Sequence, residues 1–367
     1  MRDQPLISII IPTKNRCSLV KETLESVRNQ TYSNWEAVVV DDLSDDNTWA
    51  VLEDLTVHDS RIRPMLRAGQ VGGVAVARNQ GFAASRGSFI LFLDSDDLLA
   101  STALEGRLKR FAEHLEADAV VGDCEYFRKV PGEYHDECAI ASDLGKEDDP
   151  LEAFLTLRSP WITSGPLWRR EAIERTGPWK TAHDNQYHTQ ALLRAVQFLR
   201  LGKADWYCRL HGNDHLSSPA HYNASARIAL LDETIQLLQS HGLLTLRKKR
   251  MLAWSCLLSA LTCAVEHSVL NVREANVTWL AARTRGLVGA SFYFLGAALT
   301  GLQWSKALGL APRELARFIV YLDLKHKPPV SKGLLLAALG YMKYLIIHFG
   351  HWDRARIHRR LAAVQPS

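Results

Sequence analysis

The hydrophobic pattern changes character partway along the chain. Over roughly the first 120 residues, short apolar runs alternate with stretches of helical spacing; from about Ala224 onward only helical spacing remains. Leu6–Ile11 is a β-branched run closed by Pro12 and predicts a buried strand. A helix over Ser18–Asn29 follows, with Leu19, Leu24 and Val27 on its apolar face. Glu36–Val40 predicts a second strand running into Asp41-Asp42. Ser44-Asp45-Asp46-Asn47 is a cap cluster for a short helix through Leu55. A weaker strand over Arg61–Leu66, a flexible Gly69–Gly73 loop and a helix over Val74–Ala84 come next. Ile90–Leu93 then reads as a central strand ending in Asp94, Asp96 and Asp97.

This β-α-β-α-β-α-β order predicts an α/β fold, a doubly wound and mostly parallel sheet flanked by helices. No GxGxxG or GxxxxGK[ST] follows the first strand, which disfavours a dinucleotide site and a P-loop. Further elements are a helix over Leu104–Leu115, a strand over Ala117–Gly122 and an irregular stretch over Tyr126–Asp149. An aromatic-rich segment spans Trp161–Trp168, and a short helix over Arg169–Arg175 stops at Gly177-Pro178. His183-Asp184 opens a helix reaching Arg200, and Asp205–Leu210 is a short strand. The change of pattern places a domain boundary near Leu210–Tyr222, giving a catalytic domain over 1–220 and a helical C-terminal region over 221–367.

Charge sharpens this division. The net charge is +4, yet Gly301–Ser367 holds eleven Lys/Arg against three Asp/Glu, so the remainder is acidic. Gly286–Ser305 carries no charge, and Gly333–Phe349 carries only Lys343. Apolar stretches beside Arg354, Arg356, Arg359 and Arg360 predict contact with an anionic membrane surface rather than with nucleic acid. The six cysteines form no CxxC pair, so neither a zinc site nor a disulfide framework is indicated. Scattered thiols and the lack of a signal peptide predict a cytoplasmic protein, peripheral at the inner face of the membrane.

Ligands of open α/β sheets gather at the carboxyl ends of the strands. The Pro12-Thr13-Lys14-Asn15-Arg16 turn, Asp41-Asp42 and Asp94-Ser95-Asp96-Asp97 should therefore line one crevice. Carboxylates this crowded repel unless a cation or a network compensates them. A nucleoside diphosphate suits the set: Asp42 can accept from a base N–H or a ribose hydroxyl, Arg78 can meet phosphate, and a divalent cation can bridge the acids and both phosphates.

Ile-Pro-Thr-Lys-Asn-Arg (11–16), Val-Val-Asp-Asp-Leu-Ser-Asp-Asp (39–46), Ala-Arg-Asn-Gln-Gly (77–81) and Leu-Asp-Ser-Asp-Asp (93–97) together resemble the family 2, GT-A-fold glycosyltransferases over about residues 5–220. The resemblance implies transfer of a sugar, with inversion, from a nucleotide donor, most simply a UDP-sugar, to a saccharide or lipid-linked acceptor in cell-surface polysaccharide or glycolipid synthesis. It implies Pro12, Thr13, Lys14, Asn15, Asp42, Arg78, Asp94 and Ser95 at the nucleotide. Asp94 and Asp96 become the DxD carboxylates for Mn2+ or Mg2+, with Asp96 the direct ligand. Ser164-Gly165 and Arg169-Arg170 match a further family segment, which sets Trp161, Ser164 and Gly165 at the sugars. His183-Asp184 stands where the family shows Glu-Asp, making Asp184 the base. Arg209-Leu210-His211 and Ser217 fit a later motif and put His211 at the metal or diphosphate. Two other readings compete: a non-catalytic sugar-nucleotide-binding protein, and a phosphohydrolase with Asp94 as nucleophile. His183, Asp184 and His188 can also be read as a metal cluster, but only Asp184 and His188 share a helix face at i, i+4, and no third ligand stands out there.

Overall fold

A computed structural model of the chain describes residues 4–128, 130–131, 149–156, 159–181, 184–210, 224–265 and 285–286. The chain divides into two compact units, Met1–Phe154 with Ser159–Arg209, and Leu155–Arg158 with Leu210–Ser367.

The first unit is a mixed sheet flanked by helices. Its elements are β1 (Ile7–Thr13), α1 (Cys17–Arg28), β2 (Trp35–Asp41), α2 (Thr48–His58), β3 (Ile62–Leu66), α3 (Val74–Ala84), β4 (Phe89–Phe92), β5 (Leu98–Leu99), α4 (Ala103–Glu113), β6 (Ala119–Phe127), α5 (Pro150–Leu155), β7 (Pro166–Arg169), α6 (Arg170–Thr176), α7 (Asp184–Leu193) and β8 (Phe198–Arg209). The strand order is β3-β2-β1-β4-β7-β6-β8-β5. Strands β3, β2, β1 and β4 run parallel, as the alternating pattern predicts. Ile7, Ile9, Ile10, Ile11 and Val38–Val40 are buried, because strands covered on both faces need continuous apolar runs. Each such side chain contributes about 1.5–3 kcal/mol by leaving water. Helix α3 lies close over β1 at Gly81, where an added Cβ would come within 2.4 Å of Ile10 Cγ2.

Three features depart from the sequence reading. Within Trp161–Trp168, Pro166 begins β7, which inserts antiparallel between β4 and β6, so the sheet is mixed beyond β4. The helix from Asp184 ends at Leu193 instead of Arg200. It closes on a Schellman motif, with the Ala195 N–H on Leu192 O at 3.1 Å and the Val196 N–H on Ala191 O at 3.1 Å. Ala195 holds the left-handed position at φ 57°, so no glycine marked the stop. Finally, β8 starts at Phe198, well before Asp205, and runs parallel to β6 across register shifts that break its alternation.

In the second unit, α8 (Ala224–Ser240) and α9 (Leu246–Val265) are the described helices, joined through Gly242 at φ 67°. Among the described residues no helix is long and apolar enough to cross a membrane. The 286–305 and 333–349 stretches and the basic tail lie outside the described residues, apart from Gly286.

Candidate active site

The loops at the carboxyl ends of β1 and β2 are fastened together. The Asp42 N–H donates to Thr13 O at 2.8 Å. Asn15, at φ 52°, donates its N–H to Ser44 Oγ and accepts from the Asp45 N–H, both at 2.9 Å. Pro12 and Thr13 are buried in β1, while Lys14 and Asn15 are exposed at the rim. The two adjacent acids then take different jobs. Asp41 is buried and holds the turn by accepting from Ser44 N–H and Oγ. Asp42 faces the loop after β3: it accepts from the Gly73 N–H at 2.8 Å and pairs with Arg67. The β2–β3 register sets Asp41 opposite Leu66, so the next residues, Asp42 and Arg67, become neighbours. Arg67 also donates to Val71 O at 3.0 Å, so the loop expected to be flexible is tied down by its own arginine.

At the end of β4, each of the three crowded carboxylates is compensated differently. Asp94 accepts from Arg78 Nη2 at 2.7 Å. Asp96 pairs with Arg16. Asp97 is turned inward: it accepts from Ser164 Oγ at 2.6 Å and from the Arg209 N–H at 3.3 Å. Burial, reinforced by the charges of Asp96 and Asp94, pushes the Asp97 carboxyl well above the usual range. Ser164 is fully buried, and its Oγ also accepts from the Asp94 N–H at 3.2 Å. Ser164 thus positions the acid turn rather than meeting a sugar. Arg209 continues the support, donating from Nε to Asp96 O at 3.1 Å. Ser95 is buried within this turn.

Arg78 links this cluster to Asp184. It is buried, and its Nε and Nη1 have no hydrogen-bond partner among the described residues. Asp184 opens α7, where its Oδ1 accepts from the Asn185 N–H at 2.8 Å. Burial pushes its carboxyl up to about 6, opposed by the Arg78 charge and reinforced by Asp94. A carboxylate near 6 is matched to taking a proton at neutral pH.

His188, one turn further along α7, is no metal ligand. It is fully buried and stacks on Trp168 at 5.7 Å, and burial lowers it to about 3. Trp161 likewise joins the core, packed on Phe198 at 4.6 Å and only 3% exposed, so its expected role against a sugar gives way to packing. Gly165 is buried as well, its N–H donating to Ile162 O at 3.0 Å. His183, His211 and Ser217 lie outside the described residues.

No group of three or more His, Cys, Asp or Glu among the described residues could hold a metal unaided. Asp94 and Asp96 nevertheless fit a divalent cation in the way Mg2+ or Mn2+ is held beside a nucleotide, with one or two carboxylates and the substrate's phosphates completing the shell. The Asp94 side chain, 35% exposed, is open enough to contribute.

The family described as glycosyl transferase family 2 matches residues 8–163. The chain is 32% identical over 226 residues to an uncharacterized glycosyltransferase of Nostoc sp., covering 58% of this chain and 67% of that protein. It is 44% identical over 104 residues to WfgD of Escherichia coli, a UDP-Glc:alpha-D-GlcNAc-diphosphoundecaprenol beta-1,3-glucosyltransferase, covering 28% of this chain and 40% of WfgD. The chain spans less than two thirds of several such relatives, including 64% of EpsJ from Bacillus subtilis. The fold is similar to that of S. aureus TarS 1–349, solved in complex with UDP-GlcNAc, at a TM-score of 0.62 and 20% identity, covering 83% of this chain and 92% of that one.

Proposed function

Because the chain belongs to glycosyl transferase family 2, we propose that it moves a sugar, with inversion, from a nucleotide donor to a hydroxyl of a saccharide or lipid-linked acceptor. UDP is the favoured nucleotide. Relatives support this: WfgD is named for a UDP-glucose donor and a diphosphoundecaprenol acceptor. The observation that carries the reading is the convergence on Arg78. One guanidinium nitrogen is spent on Asp94, two are without hydrogen-bond partners among the described residues, and the same charge acts on Asp184. A buried arginine left partly unsatisfied beside an acid cluster suits an incoming anion.

In this reading residues 1–220 form the catalytic domain. Asp42, held by Arg67 and Gly73, accepts from the base or ribose, and the Pro12–Asn15 turn flanks the nucleoside. Arg78 binds the diphosphate. Asp94 and Asp96 would hold Mn2+ or Mg2+, Arg16 yielding Asp96. When bound, the cation supplies charge neutralisation for the departing diphosphate. Asp184 takes the proton from the acceptor hydroxyl as that oxygen attacks the anomeric carbon, and inversion requires no covalent intermediate on the enzyme. Residues 221–367, basic by sequence, bring the enzyme to the membrane surface where a lipid-linked acceptor resides.

Purified chain incubated with a panel of nucleotide sugars, an acceptor panel and Mn2+ or Mg2+ tests the reading. Metal-dependent transfer or donor hydrolysis is expected. Its absence with every donor would overturn it. Retention on anionic vesicles at low salt, lost at high salt, tests the membrane role; equal recovery with neutral vesicles removes it.

A further inference from the structure

Trp179 follows the Gly177-Pro178 stop of α6 and precedes α7. Its main chain is clamped to α3: Asn79 Nδ2 donates to Trp179 O at 2.8 Å, and the Trp179 N–H donates to Asn79 Oδ1 at 2.9 Å. Its indole, 4% exposed, stacks on two groups at once. The Arg78 guanidinium carbon lies 4.4 Å from the ring centroid. The Tyr187 ring lies 3.9 Å away and within 3° of parallel. Phe92, the last residue of β4, meets the indole edge-on at 5.4 Å. Neither Trp179 Nε1 nor Tyr187 Oη has a hydrogen-bond partner among the described residues, so the ring faces, not the polar tips, make these contacts.

The partners give the stack its meaning. Arg78 and Asn79 are consecutive on α3, and Arg78 grips Asp94. Tyr187 sits three residues after Asp184, on the same side of the first turns of α7. We propose that Trp179 is a positioning residue that couples the donor clamp to the base: it holds Arg78 on Asp94 and, through Tyr187, fixes the helix start that presents Asp184. The inference rests on the glycosyl-transfer reading. A flat π face is the needed property. An aliphatic side chain of similar bulk fills the space but orients neither a guanidinium nor a phenol ring.

The test compares W179L, W179F and Y187L in the full chain by kcat, donor KM, UDP affinity and Tm. W179L is expected to lower kcat about tenfold or more and to raise donor KM several-fold, since small misplacements of reacting groups cost rate steeply. W179F, which keeps a π face, restores most of both. Y187L, which leaves the Arg78 contact in place, lowers kcat with donor KM unchanged. Wild-type kinetics in folded W179L, or W179F as impaired as W179L, would overturn the coupling. Should W179L not fold, the Y187L split decides: a rise in donor KM matching the fall in kcat overturns it. A wild-type chain with neither turnover nor UDP binding removes the transferase reading and this inference together, whereas an active wild type with unmoved variants removes this inference alone.

Discussion

Strand β2 brings a carboxylate to each end of the sheet, and the two ends are finished differently. At its start, Glu36 accepts from Ser8 Oγ at 2.7 Å, from the Arg86 N–H at 2.7 Å, and from the side chains of Arg63 and Arg86. Every lone pair of that buried acid is used. At its end, Asp42 is held by Arg67 and Gly73, and beyond β1, at the same end of the sheet, the Arg78–Asp94 pair leaves two guanidinium nitrogens without partners among the described residues. A closed network of charges serves the fold; buried donors left open beside an acid cluster leave hydrogen bonds that a ligand can complete. Asp184 belongs with the open end, carrying a destabilised charge rather than a satisfied one.

The largest effect that can test this contrast is on turnover. Asp184→Asn is expected to cut kcat by about 10²–10⁴-fold, the usual worth of a positioned base, with UDP affinity retained. Turnover unchanged in that variant would remove the base assignment. Stability should move the other way. A folded carboxyl at about 6 against an ordinary 3.8 means the folded state holds the proton more tightly. Stability is therefore lost as pH rises from about 4 to about 6 and is level above that. Asp184→Asn removes this cost, so its Tm at pH 8 should equal or exceed that of the wild type. The same shift predicts a kcat/KM profile that rises with pH to a midpoint near 6. A midpoint near 4 would show that Asp184 is not the titrating base.

Arg78→Met is the next largest. It removes the donor to Asp94 and the unpartnered nitrogens while keeping a buried chain. UDP affinity, read by calorimetry, should fall about 10–100-fold, the range of one or two hydrogen bonds to a charged group. An unchanged affinity would show that the open nitrogens of Arg78 await something other than phosphate.

How far the two ends were legible follows from the same physics. The open end announces itself locally: strand, turn and acid lie within a few residues at Ile11–Arg16, Val39–Asp46 and Leu93–Asp97, so the acid clusters and the parallel half of the sheet could be read directly. What stayed hidden depends on register or packing. Arg67 reaches Asp42 only because Leu66 pairs with Asp41. Trp179 looks like a loop aromatic until its stacking on Arg78 and Tyr187 is known. The α7 terminus carried no glycine, because Ala195 takes the left-handed position itself. Trp161 illustrates the opposite error: an aromatic residue near a site motif suggested a sugar contact, yet it packs on Phe154 and Phe198 in the core.

The closed end supplies the smallest effect on activity. Burial alone would raise the Glu36 carboxyl, but the bonds from Ser8, Arg86 and Arg63 outweigh it and hold it below its ordinary 4.5. The folded state thus favours the ionised form, which contributes stability above the unfolded value and loses it as pH falls below about 4.5. Glu36→Gln keeps the shape and removes the charge, leaving Arg63 and Arg86 without their counter-ion. The exposed Arg86 can turn to water, so the cost should fall at or below the low end of the 3–5 kcal/mol seen when a buried pair is broken, about 2–3 kcal/mol. Chemical denaturation at pH 7 should show that loss, shrinking toward pH 3, while kcat and donor KM stay within about twofold of wild type, as expected of a residue remote from the reacting groups. A large kcat loss in a fully folded Glu36→Gln would break the division between the two ends of the sheet.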